Sequence, residues 1–178
     1  MSSGAQSTPA QAGLKEVMRI FPQGVTVVTA SDAEGAGGIT VSAFQSVSLE
    51  PPLILISVSR QSSVYPLLMR SKKFAVNFLA DDQKMVSDRF AGRHNVKDKF
   101  EGIGCAPGVT GAPVIKGVRA IVECKVWNVY DGGDHSLIIG EVVKAGKLND
   151  KPPLVFYGTQ YTTTERIDRN VPPYETMW

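Results

Sequence analysis

Two histidines and two cysteines are all that 178 residues provide, and this scarcity excludes most metal and thiol chemistry. A zinc site needs clustered nitrogen and sulfur ligands, and a mononuclear iron site needs two histidines beside a carboxylate. His94 and His135 are far apart in sequence, and Cys105 and Cys124 lack a CxxC spacing, so no protein metal centre is expected. A buried, reduced thiol is the reading for Cys124. Long hydrophobic runs are missing as well: stretches such as Leu53 to Ile56 are far too short to span a bilayer. So is an excess of charge, since 19 lysines and arginines intermix with 17 acids for a formal net charge of +2. No basic stripe carries the interleaved aromatics of a nucleic-acid groove, so neither nucleic acid nor membrane is an expected partner. The polar opening MSSGAQSTPAQA is read as part of a flexible tail over residues 1 to 13 of a cytoplasmic protein. Catalytic fingerprints are few. There is no P-loop and no GxSxG elbow, and GIGCAPG (102 to 108) neither follows a strand nor opens a helix, as a dinucleotide-binding turn must.

What is present suits one domain. A hydrophobic content of 43% can fill a single core, and no change in composition marks a second unit. Helical spacing of apolar residues predicts a helix over 14 to 21, stopped by Phe21-Pro22-Gln23-Gly24. Strands are expected at 25 to 30, 39 to 49, 53 to 59 and 74 to 80, with 53 to 59 covered on both faces and SDAEGAGG (31 to 38) as a turn. Short helices are predicted over 62 to 73, capped by Ser62 or Ser63, and over 81 to 91, capped by Asp81 or Asp82. A glycine-rich loop follows, and then a hairpin whose arms, 119 to 131 and 135 onwards, meet at Gly132-Gly133. A last strand, LVFYG, precedes a polar C-terminal extension over 162 to 178 that carries Tyr174, Met177 and Trp178. Many short strands with irregularly inserted helices predict a mainly β fold, an antiparallel barrel or sandwich.

Two stretches offer chemistry. If 39 to 49 is one strand, Thr40, Ser42, Phe44, Ser46 and Ser48 share a face rich in hydroxyls, which admits a ligand close to the backbone and supplies donors to a phosphate. An exposed Ser/Thr face on a half-buried strand is the plainer alternative. His135 follows a glycine turn, where a solvent-facing imidazole is equally ordinary. Its neighbour Asp134 should diverge from it in an extended segment, which argues against a hydrolytic dyad.

The order FPQGVTVVTA, GGITVSAFQSVSLEPPLILISV, FAVNFLADDQ with RFAG, GDHSLIIGEV and PLVFYGTQY resembles the short-chain flavin reductases, the reductase components of two-component flavin-dependent monooxygenases. The resemblance spans about residues 14 to 161. It implies an FMN-binding split barrel, a homodimer, and hydride transfer from NADH or NADPH to FMN or FAD, with reduced flavin passed to a separate oxygenase component. It places flavin against Thr40, Val41, Ser42 and Ala43, with Phe44, Ser46, Val47 and Ser48 beside the ring or ribityl phosphate and Asn77 near the cofactor. His135 would lie against the nicotinamide as the catalytic residue. Family members usually have Ala-Asn-Ser-Phe where this chain has Val41-Ser42-Ala43-Phe44. The competing expectation on the same barrel is a flavin-binding electron carrier without turnover.

Overall fold

The computed structural model describes residues 7–165, so Tyr174, Met177 and Trp178 lie outside the described residues. Along the chain run α1 (Pro9–Arg19), β1 (Gln23–Gly24), β2 (Thr26–Asp32), β3 (Gly35–Val41), β4 (Phe44–Leu49), β5 (Pro52–Ser59), α2 (Tyr65–Ser71) and β6 (Lys73–Phe78). There follow a 3-10 turn (Asp81–Gln83), α3 (Lys84–Phe90), β7 (Cys105–Pro107), β8 (Pro113–Ile115), β9 (Ala120–Gly132), β10 (His135–Lys147), β11 (Val155–Tyr157) and β12 (Gln160–Thr162). No described helix is long and apolar enough to cross a membrane.

Seven strands form one antiparallel sheet in the order β3-β2-β6-β9-β10-β5-β4. Its two edge strands, β3 and β4, are consecutive in the chain and joined by Ser42 and Ala43 alone. Three trans peptide steps span at most ~11 Å, so the two edges must meet at this end and the sheet must roll up. The join is fixed by Phe44 N donating to Ser42 O at 3.0 Å and Ser57 N donating to Ala43 O at 3.1 Å. The expected single strand over 39 to 49 is therefore two strands on opposite edges, and its alternation of faces breaks at Ser42-Ala43.

One core fills the rolled sheet, around Val28, Ile56, Leu68, Phe74, Val76 and Ile138. A second packs on the other side of β2, around Val27, Leu79, Phe90, Ile115 and Leu154. The strands covered on both faces are thus β2, buried from Thr26 to Ala30, and β6, buried from Phe74 to Asn77, whereas β5 alternates buried Ile54, Ile56 and Val58 with half-exposed neighbours. The long β9–β10 hairpin bends through irregularities at Ile139/Gly140 and Val142/Lys144. Gly140 is required there, because a Cβ would meet Phe74 Cζ at 2.6 Å and Cys124 Cβ at 2.9 Å.

Local differences from the sequence reading have local causes. The helix α1 begins at Pro9, inside the expected tail, because Thr8 and Gln11 close a capping box around a proline in the first turn. Residues 35 to 38, Gly-Ala-Gly-Gly, are strand and not turn: a Cβ on Gly38 would lie 2.7 Å from the Phe90 ring, so the missing side chain makes room for α3. Neither Ser62 nor Ser63 caps α2, and neither Asp81 nor Asp82 caps α3; Asp82 pairs with Lys151 instead, at 2.5 Å. The expected glycine loop contains the small β7–β8 hairpin. The β9–β10 turn is centred on Gly133 and Asp134, with Gly132 and His135 paired across its mouth.

Candidate functional site

Where the sheet edges meet, a pocket of about 580 Å³ is lined by Thr40, Val41, Ser42 and Ala43, by Ser57, Val58 and Ser59 of β5, and by Gly132 and His135. Leu14 and Met18, one helical turn apart on α1, form an apolar wall. This volume falls within the range of about 300–1,000 Å³ usual for small-molecule sites. Small side chains line it on two strands, leaving backbone amides and hydroxyls close to any flat guest.

His135 reaches this pocket through strand register, paired with Ser59 on β5 and Gly132 on β9. Its Nδ1 lies 2.7 Å from Asp134 Oδ1. The expectation that these side chains diverge is corrected: Asp134 sits in the turn, where the alternation of an extended strand does not apply. Asp134 remains 88% exposed, unlike the buried carboxylate of a hydrolytic triad. Hydrogen bonding to His135, reinforced by its charge, holds the Asp134 carboxyl below the usual range. With Nδ1 engaged, Nε2 is the ring nitrogen left to a ligand.

Thr40 and Ser42 also open onto a side chamber of about 170 Å³ that includes Ser87, Arg93, Phe156 and Tyr161. Behind it lies buried Asp88, which accepts from Lys84 at 2.5 Å, Arg93 at 2.8 Å and Tyr161 at 2.9 Å. Burial raises the Asp88 carboxyl, but these three donors together outweigh that effect and hold it below its usual range. Thr40 Oγ1 donates to Ser87 O at 2.7 Å, tying β3 to the middle of α3. Arg93 also stacks over the Phe156 and Tyr161 rings, so a cation and aromatic faces meet beside the pocket.

Five of the ten residues expected at the site therefore converge: Thr40, Val41, Ser42, Ala43 and His135. Phe44, Ser46, Val47 and Ser48 do not line this pocket, because β4 departs along the other edge. Phe44 stacks edge-on against Phe78 with centroids 5.0 Å apart, Val47 is 46% exposed at a register shift, and Ser48 Oγ accepts from Glu50 N. Asn77 is fully buried in the sheet: its Nδ2 donates to Val27 O and Thr29 Oγ1, and its Oδ1 accepts from Ile115 N. These bonds give Asn77 a role in holding the sheet together. Asn77→Ala is expected to cost about 2–4 kcal/mol by stranding buried partners. Ligand affinity of the folded fraction should stay unchanged, which urea unfolding beside a ligand titration would check.

Sequence reading missed Ser57 and Ser59, which continue the half-exposed phase of β5 that begins with Leu53 and Leu55, and it missed the α1 wall and the Arg93–Tyr161 chamber, whose parts come from distant segments. Another cavity, of about 370 Å³ between the β2–β3 hairpin and α2, is a weaker candidate. Its Arg70 is already paired with Asp32 and Glu34.

Residues 18–165 match the family model described as flavin reductase like domain. The reductase subunit HsaB of a flavin-dependent monooxygenase from Rhodococcus jostii is 36% identical over 158 residues, covering 89% of this chain and 80% of the relative. An FMN reductase (NADH), SmoA, from Agrobacterium fabrum is 40% identical over 144 residues, covering 81% and 80%. Among solved structures, the NADH:FAD oxidoreductase SgcE6 of Streptomyces globisporus C-1027, in complex with NAD and FAD fragments, aligns with a TM-score of 0.81 at 32% identity, covering 95% of this chain and 100% of the other.

Proposed function

Because the chain belongs to the flavin reductase-like family, we propose that it is an NAD(P)H:flavin oxidoreductase whose reduced flavin serves a separate oxygenase component. The observation that carries this reading is the convergence of His135 with the small-residue strand Thr40–Ala43 in one pocket of suitable size. The lining fits a planar ring: hydroxyls and amides on one side, Leu14 and Met18 on the other, and no buried carboxylate to oppose an electron-rich guest.

Flavin and nicotinamide themselves supply the hydride chemistry when stacked. Thr40, Val41, Ser42 and Ala43 hold the flavin edge and fix its plane, and the chamber with Arg93 offers positive charge to the anionic part of a nucleotide. His135, steadied by Asp134, orients the pyridine nucleotide through Nε2. Leu14 and Met18 exclude water from the stacked rings.

The protein works as a cytoplasmic homodimer in this reading. Supporting the dimer, Leu14, Val17, Ile20 and Phe21 are all more than half exposed on and just after α1, none of whose residues is buried, and Leu49 on the β4 edge is 66% exposed. Mixing the protein with NADH or NADPH and excess FMN or FAD, and following nicotinamide absorbance, tests the activity. Many turnovers per chain are expected. One stoichiometric bleaching would mean an electron carrier instead, and sedimentation of the same sample as a monomer would remove the dimer.

A further inference from the structure

The geometry points to Arg60 as a positioning residue for His135: it clamps the hairpin on both sides of that histidine without lining the pocket. The inference rests on the reading that His135 orients the pyridine nucleotide. Arg60 follows Ser59, the strand partner of His135, so it stands at the end of β5 where the hairpin turn passes. Three of its groups engage that turn. Its backbone N donates to Asp134 O at 3.1 Å, its Nε donates to Ser136 Oγ at 3.2 Å, and its guanidinium pairs with Asp131 Oδ2 at 3.0 Å.

The residues immediately before and after His135 are thus both tied to one arginine. Asp131 extends the hold, because its other oxygen accepts from Gly133 N at 2.8 Å inside the turn. Ser136 is 1% exposed and lies 2.9 Å from Tyr65 Oη, which fastens the clamp to α2. Arg60 does not line the pocket that contains His135. Its action is therefore indirect. A two-residue turn centred on Gly133 has few contacts of its own, and a hairpin free to sway would carry the imidazole away from the geometry that ring stacking needs.

Lysine cannot replace this fork, since one ammonium cannot serve Ser136 and Asp131 with the planar geometry of a guanidinium. Arg60→Met, which keeps the alkyl stem, is expected to lower kcat/KM for NADH or NADPH roughly ten-fold, with Arg60→Lys intermediate and the flavin dissociation constant unchanged. In a His135→Ala background, Arg60→Met should change kcat/KM by less than about two-fold, because the group it positions is gone.

A second measurement does not depend on turnover. The chain has two histidines, so loss of a ring carbon–proton resonance in His135→Ala identifies the His135 signal. Arg60→Met should shift or broaden that signal and leave His94 in place, in protein whose thermal midpoint shows it to be folded. An unmoved His135 resonance, or losses that simply multiply in the double variant, would overturn the clamp; the latter is the result expected if Arg60 touched the nucleotide directly. A resonance that moves while His135→Ala has full activity would instead overturn the role of His135, and with it any catalytic purpose for the clamp.

Discussion

His135→Ala is expected to lower kcat/KM for NADH or NADPH on the order of ten- to a hundred-fold, and to leave flavin affinity within about two-fold of the parent. The imidazole, 42% exposed, lines the pocket from β10, beside β5, whereas Thr40–Ala43 line it from the end of β3 and its join to β4. It can therefore touch a second ring laid over the first without being needed to hold the first. Loss of one positioning contact misaligns the rings but leaves the electronic work to the cofactors, which limits the damage to a few kcal/mol of barrier. His135→Asn and His135→Gln should keep part of the rate, since each still presents a hydrogen-bonding group. Anaerobic stopped-flow reduction of bound flavin separates the possibilities. Unchanged rates and affinities in His135→Ala would make the residue a surface histidine, and a flavin dissociation constant that rises first would place its contact on the flavin.

How much of this could be read beforehand depended on whether the deciding interaction was local. The β9–β10 hairpin was legible because alternation and paired glycines are local signals, and so was the existence of the N-terminal helix, expected over 14 to 21 and found over Pro9–Arg19. Residues 35 to 38 were not, because four positions rich in glycine read as a turn until Phe90 and Leu67 arrive from distant helices to fill the space above them. The hydroxyl-bearing segment 39 to 49 reads as one strand with its hydroxyls on a single face throughout. The kink at Ser42-Ala43 exists only because the rolled sheet brings its edges together, and no periodicity in eleven residues encodes that closure. The same closure decides which of those residues line this pocket: Thr40–Ala43 do, and Phe44 to Ser48 do not. Asn77 matched a family position, but its burial between β2 and β9, with three satisfied hydrogen bonds, is a property of the packed sheet. Tyr161, Arg93 and Asp88 illustrate the opposite limit: each is unremarkable in sequence, and their meaning comes from meeting.

Ser42→Trp is expected to abolish measurable flavin binding, with a dissociation constant raised at least about a hundred-fold, while the fold survives. Ser42 lies at the join of β3 and β4 and lines the main pocket, the Arg93 chamber and a third recess around Phe21 and Leu55. A residue at that junction controls three spaces at once. Its side chain is exposed and no described hydrogen bond depends on its hydroxyl, so an indole can be accommodated in the folded protein without unseating the core. The backbone bond from Phe44 N to Ser42 O does not involve the side chain and should persist. Ser42→Ala supplies the contrast: losing one hydroxyl contact is worth about 1 kcal/mol, a few-fold in affinity, so only bulk should block the site. Flavin titration by fluorescence quenching, with circular dichroism to verify the fold, would decide it. A tryptophan variant that binds flavin as tightly as the parent would remove the β3–β4 junction from the site, and the pocket beside His135 would then have to be assigned to some other guest.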